Sequence, residues 1–357
     1  MFVIGIDPHK GSHTAAVLDR QERLVGELRV VADRRQRDRF LHFAEPFTPR
    51  TWAIEAASGL GALLAQQLVA AGEVVLDVPP ALSARVRLLD AGRNDKTDPH
   101  DARSAAVVAL RHAGLRSVVA MDHSAVLRLL ADRHHDLIAL RTQAICRLHA
   151  LLCLLIPGGL SRRLSAERAG RALRAMRPLE LVEAERKRLA SALLADVRRI
   201  DNQLVALKAR IDQAVATSGT TVTNIHGVGP IVAALLVGHT GDVRRFPTSG
   251  HYARYNGTAP IEASSGPQVR HRLNPRGNRQ LNHALHMAAV TQVGHDTPGR
   301  IYYERKLAEG KSRKEALRAS GASATRSTAS SWSTPAEAGP GGQTRDDSSI
   351  PAWPAEP

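Results

Sequence analysis

Residues 2–10 read Phe2-Val3-Ile4-Gly5-Ile6-Asp7-Pro8-His9-Lys10, an apolar run that ends on a carboxylate and a turn. Phe2 to Ile6 has the length and composition of a buried strand, which leaves Asp7 at its exit. A second apolar run, Thr14 to Leu18, follows the polar turn, and Leu24 to Val31 alternates apolar with polar residues as a third strand. The pattern then predicts a helix over 37–43, a strand over 51–56, a helix over 60–71 and a strand over 74–78. Opening strands joined by tight turns, followed by β–α alternation, predict a mixed sheet flanked by helices over residues 1–120.

Three further carboxylates fall at comparable places. Glu55 ends Trp52-Ala53-Ile54-Glu55, and Asp98 and Asp101 stand three apart in Asn94-Asp95-Lys96-Thr97-Asp98-Pro99-His100-Asp101-Ala102-Arg103, where a helix should start. Residues three apart share one helical face. Taken singly, Asp98 reads as a helix cap and Glu55 as a strand-end charge. Taken together, carboxylates from separate elements suit hard divalent cations, Mg2+ or Mn2+, which need several oxygen ligands and hold both the attacking and the leaving oxygen of a phosphodiester. A strand-end Asp followed by a turn and an outgoing strand is also how an RNase H-like nuclease begins. Asp95 competes as a ligand and ranks below Asp98. His9, His13 and His100 crowd the same region; their spacing is wrong for zinc, and they read as contacts to the ligands or to phosphate.

The chain of 357 residues carries 49 Lys and Arg against 34 Asp and Glu, a formal charge of +15, with aromatic residues at 3%. Such a balance points to a polyanionic partner, and the scarcity of aromatics argues against a stacking-platform binder of single strands. No apolar run is long enough to span a membrane and the chain starts directly in a strand, so neither a membrane partner nor a signal peptide is expected, and the expected location is the cytoplasm, associated with the bacterial nucleoid. Cys146 and Cys153, seven apart in a Leu-rich stretch, read as buried core thiols.

From about residue 121 to 218, Leu and Ala recur every three or four positions, with a break at Pro157-Gly158-Gly159. This predicts two long helices forming a hairpin or coiled-coil linker. Residues 219–318 form a mainly helical third region that opens with Ile225-His226-Gly227-Val228-Gly229-Pro230, a helix-hairpin-helix-like element in which Gly227 and Gly229 would let backbone amides meet a DNA phosphate. An ordinary interhelical turn is the alternative. Ala263 to His295 contains no acidic residue, while Arg270, Arg272, Arg276 and Arg279 cluster there as a nucleic-acid-binding face. Residues 319–357 are rich in Ser, Thr, Ala, Gly and Pro and are expected to be disordered. The abrupt change after the helix-like Arg313 to Arg318 suggests a frameshifted or degenerate end.

These stretches resemble the transposases of the insertion-sequence 110 family, the DEDD transposases, related to the Piv-type DNA invertases. The resemblance rests on Gly5-Ile6-Asp7 with Lys10, on Trp52 to Glu55, and on Asn94 to Ala102. It continues through Ile225 to Pro230, Phe246-Pro247, Tyr255 to Pro260, Ser264-Ser265-Gly266 and Arg276 to Arg279, and covers residues 1–318. It implies a RuvC-like domain, a coiled-coil linker and a C-terminal transposase domain, with Asp7, Glu55, Asp98 and Asp101 as metal ligands. It further implies a serine nucleophile that becomes joined to DNA, here Ser264 or Ser265, with Ser249 a weaker candidate. A structured guide RNA and a homo-oligomer, dimer or tetramer, are the other implied partners. Without the resemblance, a RuvC-like nuclease using water, or an inactivated nucleic-acid-binding remnant, remains open.

Overall fold

The computed structural model describes residues 1–91, 97–161, 164–263 and 271–321. Expectations resting on Asp95, Ser264, Ser265, Arg270 and the tail beyond 321 lie outside the described residues. The chain divides into two compact units, one spanning Met1–Met121 and the other beginning at Asp122.

The first unit contains strands β1 (Phe2–Pro8), β2 (Ser12–Leu18) and β3 (Leu24–Val31), helix α1 (Gln36–Ala44), strand β4 (Arg50–Glu55), helix α2 (Ala62–Ala70), strand β5 (Val75–Val78), helices α3 (Pro80–Ala91) and α4 (Asp98–Arg111), and strand β6 (Arg116–Ser117). Among the described residues they form one sheet of order β3-β2-β1-β4-β5-β6. The first three strands are antiparallel neighbours, β1, β4 and β5 run parallel, and β6 returns antiparallel. Three antiparallel strands followed by parallel ones joined through helices are the topology expected of an RNase H-like domain, and the mixed sheet matches the sequence pattern.

Period-two alternation splits each strand between two cores. Ile4, Ile6, Val17, Trp52 and Ile54 pack with Phe40, Leu64 and Leu68 of α1 and α2. Val3, Leu18, Ala53 and Val78 pack on the other face with Ala105 and Ala106 of α4. Gly5 makes the second packing possible. A β-carbon there would lie 2.0 Å from the Ala102 carbonyl oxygen and 2.7 Å from the Ala106 nitrogen, so the α4 backbone rests directly on β1.

The second unit holds helices α5 (His123–Cys153), α6 (Ala166–Ala175), α7 (Leu181–Thr217), α8 (Pro230–Thr240) and α9 (Ser249–Asn256), a ribbon of β7 (Ile261–Glu262) and β8 (His271–Arg272), then α10 (Arg279–Val293), α11 (Pro298–Ala308) and a helix over 313–321 (α12). Leu127 and Leu137 of α5, Leu207 and Ile211 of α7, Leu236 of α8 and Leu285 of α10 belong to one core. The segments expected as a linker and as a C-terminal domain therefore share their apolar interior. Gly238 lets α8 approach the α5 backbone, since a β-carbon there would lie 2.5 Å from the Arg128 nitrogen.

Three differences from the sequence reading have local causes. A short α6 interrupts the expected pair of long helices. Ser165 caps it by accepting from the Arg168 N–H, and its Leu173 joins Leu148, Leu152 and Leu194 in a second apolar cluster. Cys146 and Cys153 are exposed, not buried. The buried seam of α5 runs through Leu137, Ala144, Leu148 and Leu152; Cys146 is two residues from both Ala144 and Leu148 and so points to the opposite side. Finally, helix α12 continues past Arg318, with Ala319 and Ser320 buried. Among the described residues, no helix is long and apolar enough to cross a membrane.

Candidate active site

Asp7 and Glu55 close two adjacent parallel strands. Gly5 pairs with Ala53 and Ile6 with Ile54, so Asp7 and Glu55 are the next neighbours at the strands' carboxyl ends, on the face that α4 covers. The exit from β4 is held open by backbone geometry. Ala56, immediately after Glu55, has φ of +49°, a left-handed conformation that costs a non-glycine residue about 1 kcal/mol. Its N–H donates to the Val78 carbonyl at 2.9 Å, and the next N–H, of Ala57, donates to Asp77 Oδ1 at 2.9 Å. Asp77, itself 3.2 Å from Arg116 Nη2, thus fixes the turn that carries Glu55.

Helix α4 brings the other two carboxylates. Thr97 precedes it in extended conformation, Pro99 occupies its first turn, and Asp98 and Asp101 both lie in that turn. One ligand atom from each of Asp7, His9 and Asp98 lies within 4.8 Å of the others. His9 bridges the two acids, with Nδ1 3.4 Å from Asp7 Oδ2 and Nε2 3.8 Å from Asp98 Oδ1. Asp101 is buried and tied to Arg87 of α3, whose Nη1 donates to Oδ1 at 2.6 Å.

Burial pushes the Asp7 carboxyl up to about 6; His9 opposes this, and repulsion from Asp101, Glu55 and Asp98 adds to it. The other three carboxylates therefore all act on Asp7. Asp7 is only 7% exposed, and its Oδ2 has no hydrogen-bond partner among the described residues. An acceptor oxygen buried without a donor, among like charges, is costly. A divalent cation with oxygen preference relieves both penalties, so this donor set fits one.

The histidines separate sharply. His13 is buried, and its Nε2 lies 3.0 Å from Gln36 Oε1 while Gln36 Nε2 donates to Gln67. Burial lowers its pKa, and its place in the core excludes the phosphate contact expected of it. His100 is exposed in the first turn of α4, where its carbonyl accepts from the Ser104 hydroxyl. His9 alone of the three joins the acids, a role its spacing in the sequence did not single out.

The remaining expected contacts are distributed as follows. Lys10 is exposed in the β1–β2 turn of the first unit. In the second unit, Gly227 has φ of +83°, and a β-carbon there would meet the Ala288 carbonyl at 2.8 Å, so this glycine seats its turn on α10. Gly229 caps α8 with open space beside it. Arg272, Arg276 and Arg279 are exposed. Ser249 is exposed at the start of α9, after the cap Thr248.

Comparison with known proteins bears on both units. A family model for DEDD transposases of the IS110 type, described as "Transposase", matches residues 4–157, and a second, "Transposase IS116/IS110/IS902 family", matches 219–304. The 44.8 kDa protein of insertion element IS116 from Streptomyces clavuligerus is 28% identical over 88% of this chain and 90% of its own length. The 43.6 kDa protein of insertion element IS110 from Streptomyces coelicolor is 29% identical over 74% of this chain and 77% of its own. Among solved structures, Thermus thermophilus RuvC in complex with a Holliday junction substrate aligns at 20% identity and a TM-score of 0.27, over 33% of this chain and 99% of that one.

Proposed function

This chain belongs to the IS116/IS110/IS902 family of transposases, and on that premise we propose that it cuts and rejoins DNA at the carboxylate cluster of its first unit. The observation that carries this reading is Asp7: buried at a strand end, lacking a donor for Oδ2, and facing three further carboxylates. Asp7 and Asp98 would hold a divalent cation, Mg2+ or Mn2+, with Glu55 and Asp101 as further oxygen donors. When bound, the cation supplies positive charge to the scissile phosphate and to the oxygens entering and leaving it.

The chain's own groups do the rest. His9 lies between the Asp7 and Asp98 carboxylates, its ring nitrogens 3.4 and 3.8 Å from them. Arg87 holds Asp101 in place through its 2.6 Å hydrogen bond, and the Asp77 turn holds Glu55 at the strand end. A serine hydroxyl, of Ser264 or Ser265, would lose its proton and form an ester bond to the scissile phosphorus, breaking one P–O bond of the phosphodiester so that the displaced DNA oxygen takes up a proton and leaves as a hydroxyl, with Ser249 the lesser candidate. Arg270, Arg272, Arg276 and Arg279, with Lys10 and Gly229, would contact nucleic-acid backbone, including a structured guide RNA that pairs with the DNA. The helical arm suits assembly into a dimer or tetramer, and the setting for this work is the cytoplasm.

The test is to incubate the protein with its element ends, the flanking RNA and Mg2+, and to search for a serine-linked DNA adduct. An adduct lost in Ser264→Ala or Ser265→Ala, and in Asp98→Ala, supports strand transfer. Cleavage that survives both serine substitutions but not Asp98→Ala indicates hydrolysis by water. Binding without cleavage under any metal indicates an inactive descendant.

A further inference from the structure

A cavity of about 470 Å³ opens beside the acidic cluster, between the β2–β3 edge of the sheet and the first turn of α4. Thr14 and Arg29 line it on one side and Thr97, Asp98 and Pro99 on the other. Strand register explains why. Asp7 pairs with Thr14, and Thr14 pairs with Arg29, so the three side chains form one row across the sheet on the face that α4 covers. Arg29 is the cationic end of a row that begins at the buried carboxylate.

Resting on the proposed function, we infer that Arg29 binds a phosphate of the DNA strand, next to the one that is cut, and so positions that strand against Asp98. Two of the five N–H donors of its guanidinium are used on one oxygen, Nε and Nη2 donating to Ser12 Oγ at 3.2 and 3.1 Å. This anchor holds the side chain across β2, while Asp98 Oδ2 lies 3.6 Å from Nη2, beyond a good hydrogen bond.

The contrast with Arg87 excludes a purely structural reading. Arg87 is largely buried and sits 2.6 Å from Asp101, an arrangement that neutralises a core carboxylate. Arg29 is 68% exposed and loosely placed over Asp98, where solvent screening makes an ion pair worth little. A planar, always charged fork kept at a cavity mouth with unused donors suits an incoming phosphate oxygen. Glu27, two residues earlier on the same face, also lines the cavity, and its like charge confines an anion to the Arg29 side. Thr97 makes no side-chain cap, so the first amides of α4 add partial positive charge at the same cavity. Arg29 is thus a positioning residue, separate from the metal-binding carboxylates.

The readout is the salt dependence of DNA binding by the full chain in EDTA, with a duplex carrying an element end. Each lost phosphate contact lowers the slope of log K against log salt by about 0.9. Arg29→Gln is expected to lose about that much slope, and Arg29→Lys to keep the wild-type slope. A wild-type slope in Arg29→Gln overturns the inference, as does an equal loss in Arg29→Lys, which would mean a structural effect. Cleavage in Mg2+ by wild type and Asp7→Asn is run in parallel. If wild type does not cut, or Asp7→Asn cuts equally well, the proposed function fails; if cleavage depends on Asp7 but the slopes are equal, only the role of Arg29 fails.

Discussion

Buried polar groups occur in both units, but among the described residues only the first unit buries carboxylates, Asp7 and Asp101. In the helical unit the buried groups are neutral hydroxyls and amides or an imidazole: the Thr240 hydroxyl lies 3.0 Å from the Tyr252 hydroxyl, the Thr258 N–H donates to Asn256 Oδ1 at 3.0 Å, and His239 Nε2 makes an ion contact with Asp132 at 3.1 Å. At the carboxyl ends of β1 and β4, by contrast, Asp7 is buried against like charges with one oxygen lacking a donor. Satisfied polar groups fix a core, whereas a buried carboxylate oxygen left without a donor among like charges calls for a compensating group such as a cation.

Substitutions at Asp7 should sharpen this contrast most. Asp7→Asn is expected to lower Mg2+-dependent cleavage by roughly 10²–10³-fold, measured on element-end DNA. The same change should stabilise the metal-free protein at pH 7. The carboxyl pKa is raised from 3.8 to about 6 in the fold, so its contribution is present below pH 3.8 and lost as pH rises through about 6. At pH 7 the ionised group is a liability on the order of 3 kcal/mol, and urea unfolding in EDTA should show the Asn variant above wild type.

The next largest effect is expected at Gly5. Gly5→Ala forces a methyl toward the Ala102 carbonyl, 2.0 Å away, which should cost about 1–3 kcal/mol and reduce cleavage by moving Asp98 and Asp101 with α4. In the helical unit, Tyr252→Phe leaves the Thr240 hydroxyl buried without its partner. A loss of about 1 kcal/mol is expected, with Mn2+ binding unchanged. His239 should impose a pH dependence of the opposite sign to Asp7. Burial lowers its pKa below 6.5, against the opposing pull of Asp132, so its contribution is present above 6.5 and lost as pH falls through the depressed value. His239→Gln should flatten the acid side of the unfolding-midpoint profile. Cys146→Ser and Cys153→Ser, at exposed positions, should shift stability by no more than about 0.5 kcal/mol.

Much of the first unit was legible because short apolar runs with period two and strand-end carboxylates are local features. The strand at 24–31 matches β3 from end to end, and the helix start at Asp98 follows from Thr97, Pro99 and the acidic first turn. What escaped depends on contacts between residues far apart in the chain. His9 and His13 look alike in sequence, yet His9 sits in the turn beside the acids while His13, on β2, meets Gln36. Arg29 gains its meaning only from the row Asp7, Thr14, Arg29, and Asp77 only from the Ala57 N–H it accepts. Helix α6 and the outward cysteines were missed because a Leu- and Ala-rich pattern tells that a helix is amphipathic without telling which flank its neighbours cover.

The central claim, that the first unit holds a divalent cation between Asp7 and Asp98, is tested most directly by titrating Mn2+ and following the free ion by electron paramagnetic resonance. Wild type and Arg29→Gln should take up Mn2+ alike, while Asp7→Asn and Asp98→Asn should lose that uptake. Undiminished Mn2+ uptake in both Asn variants would contradict it.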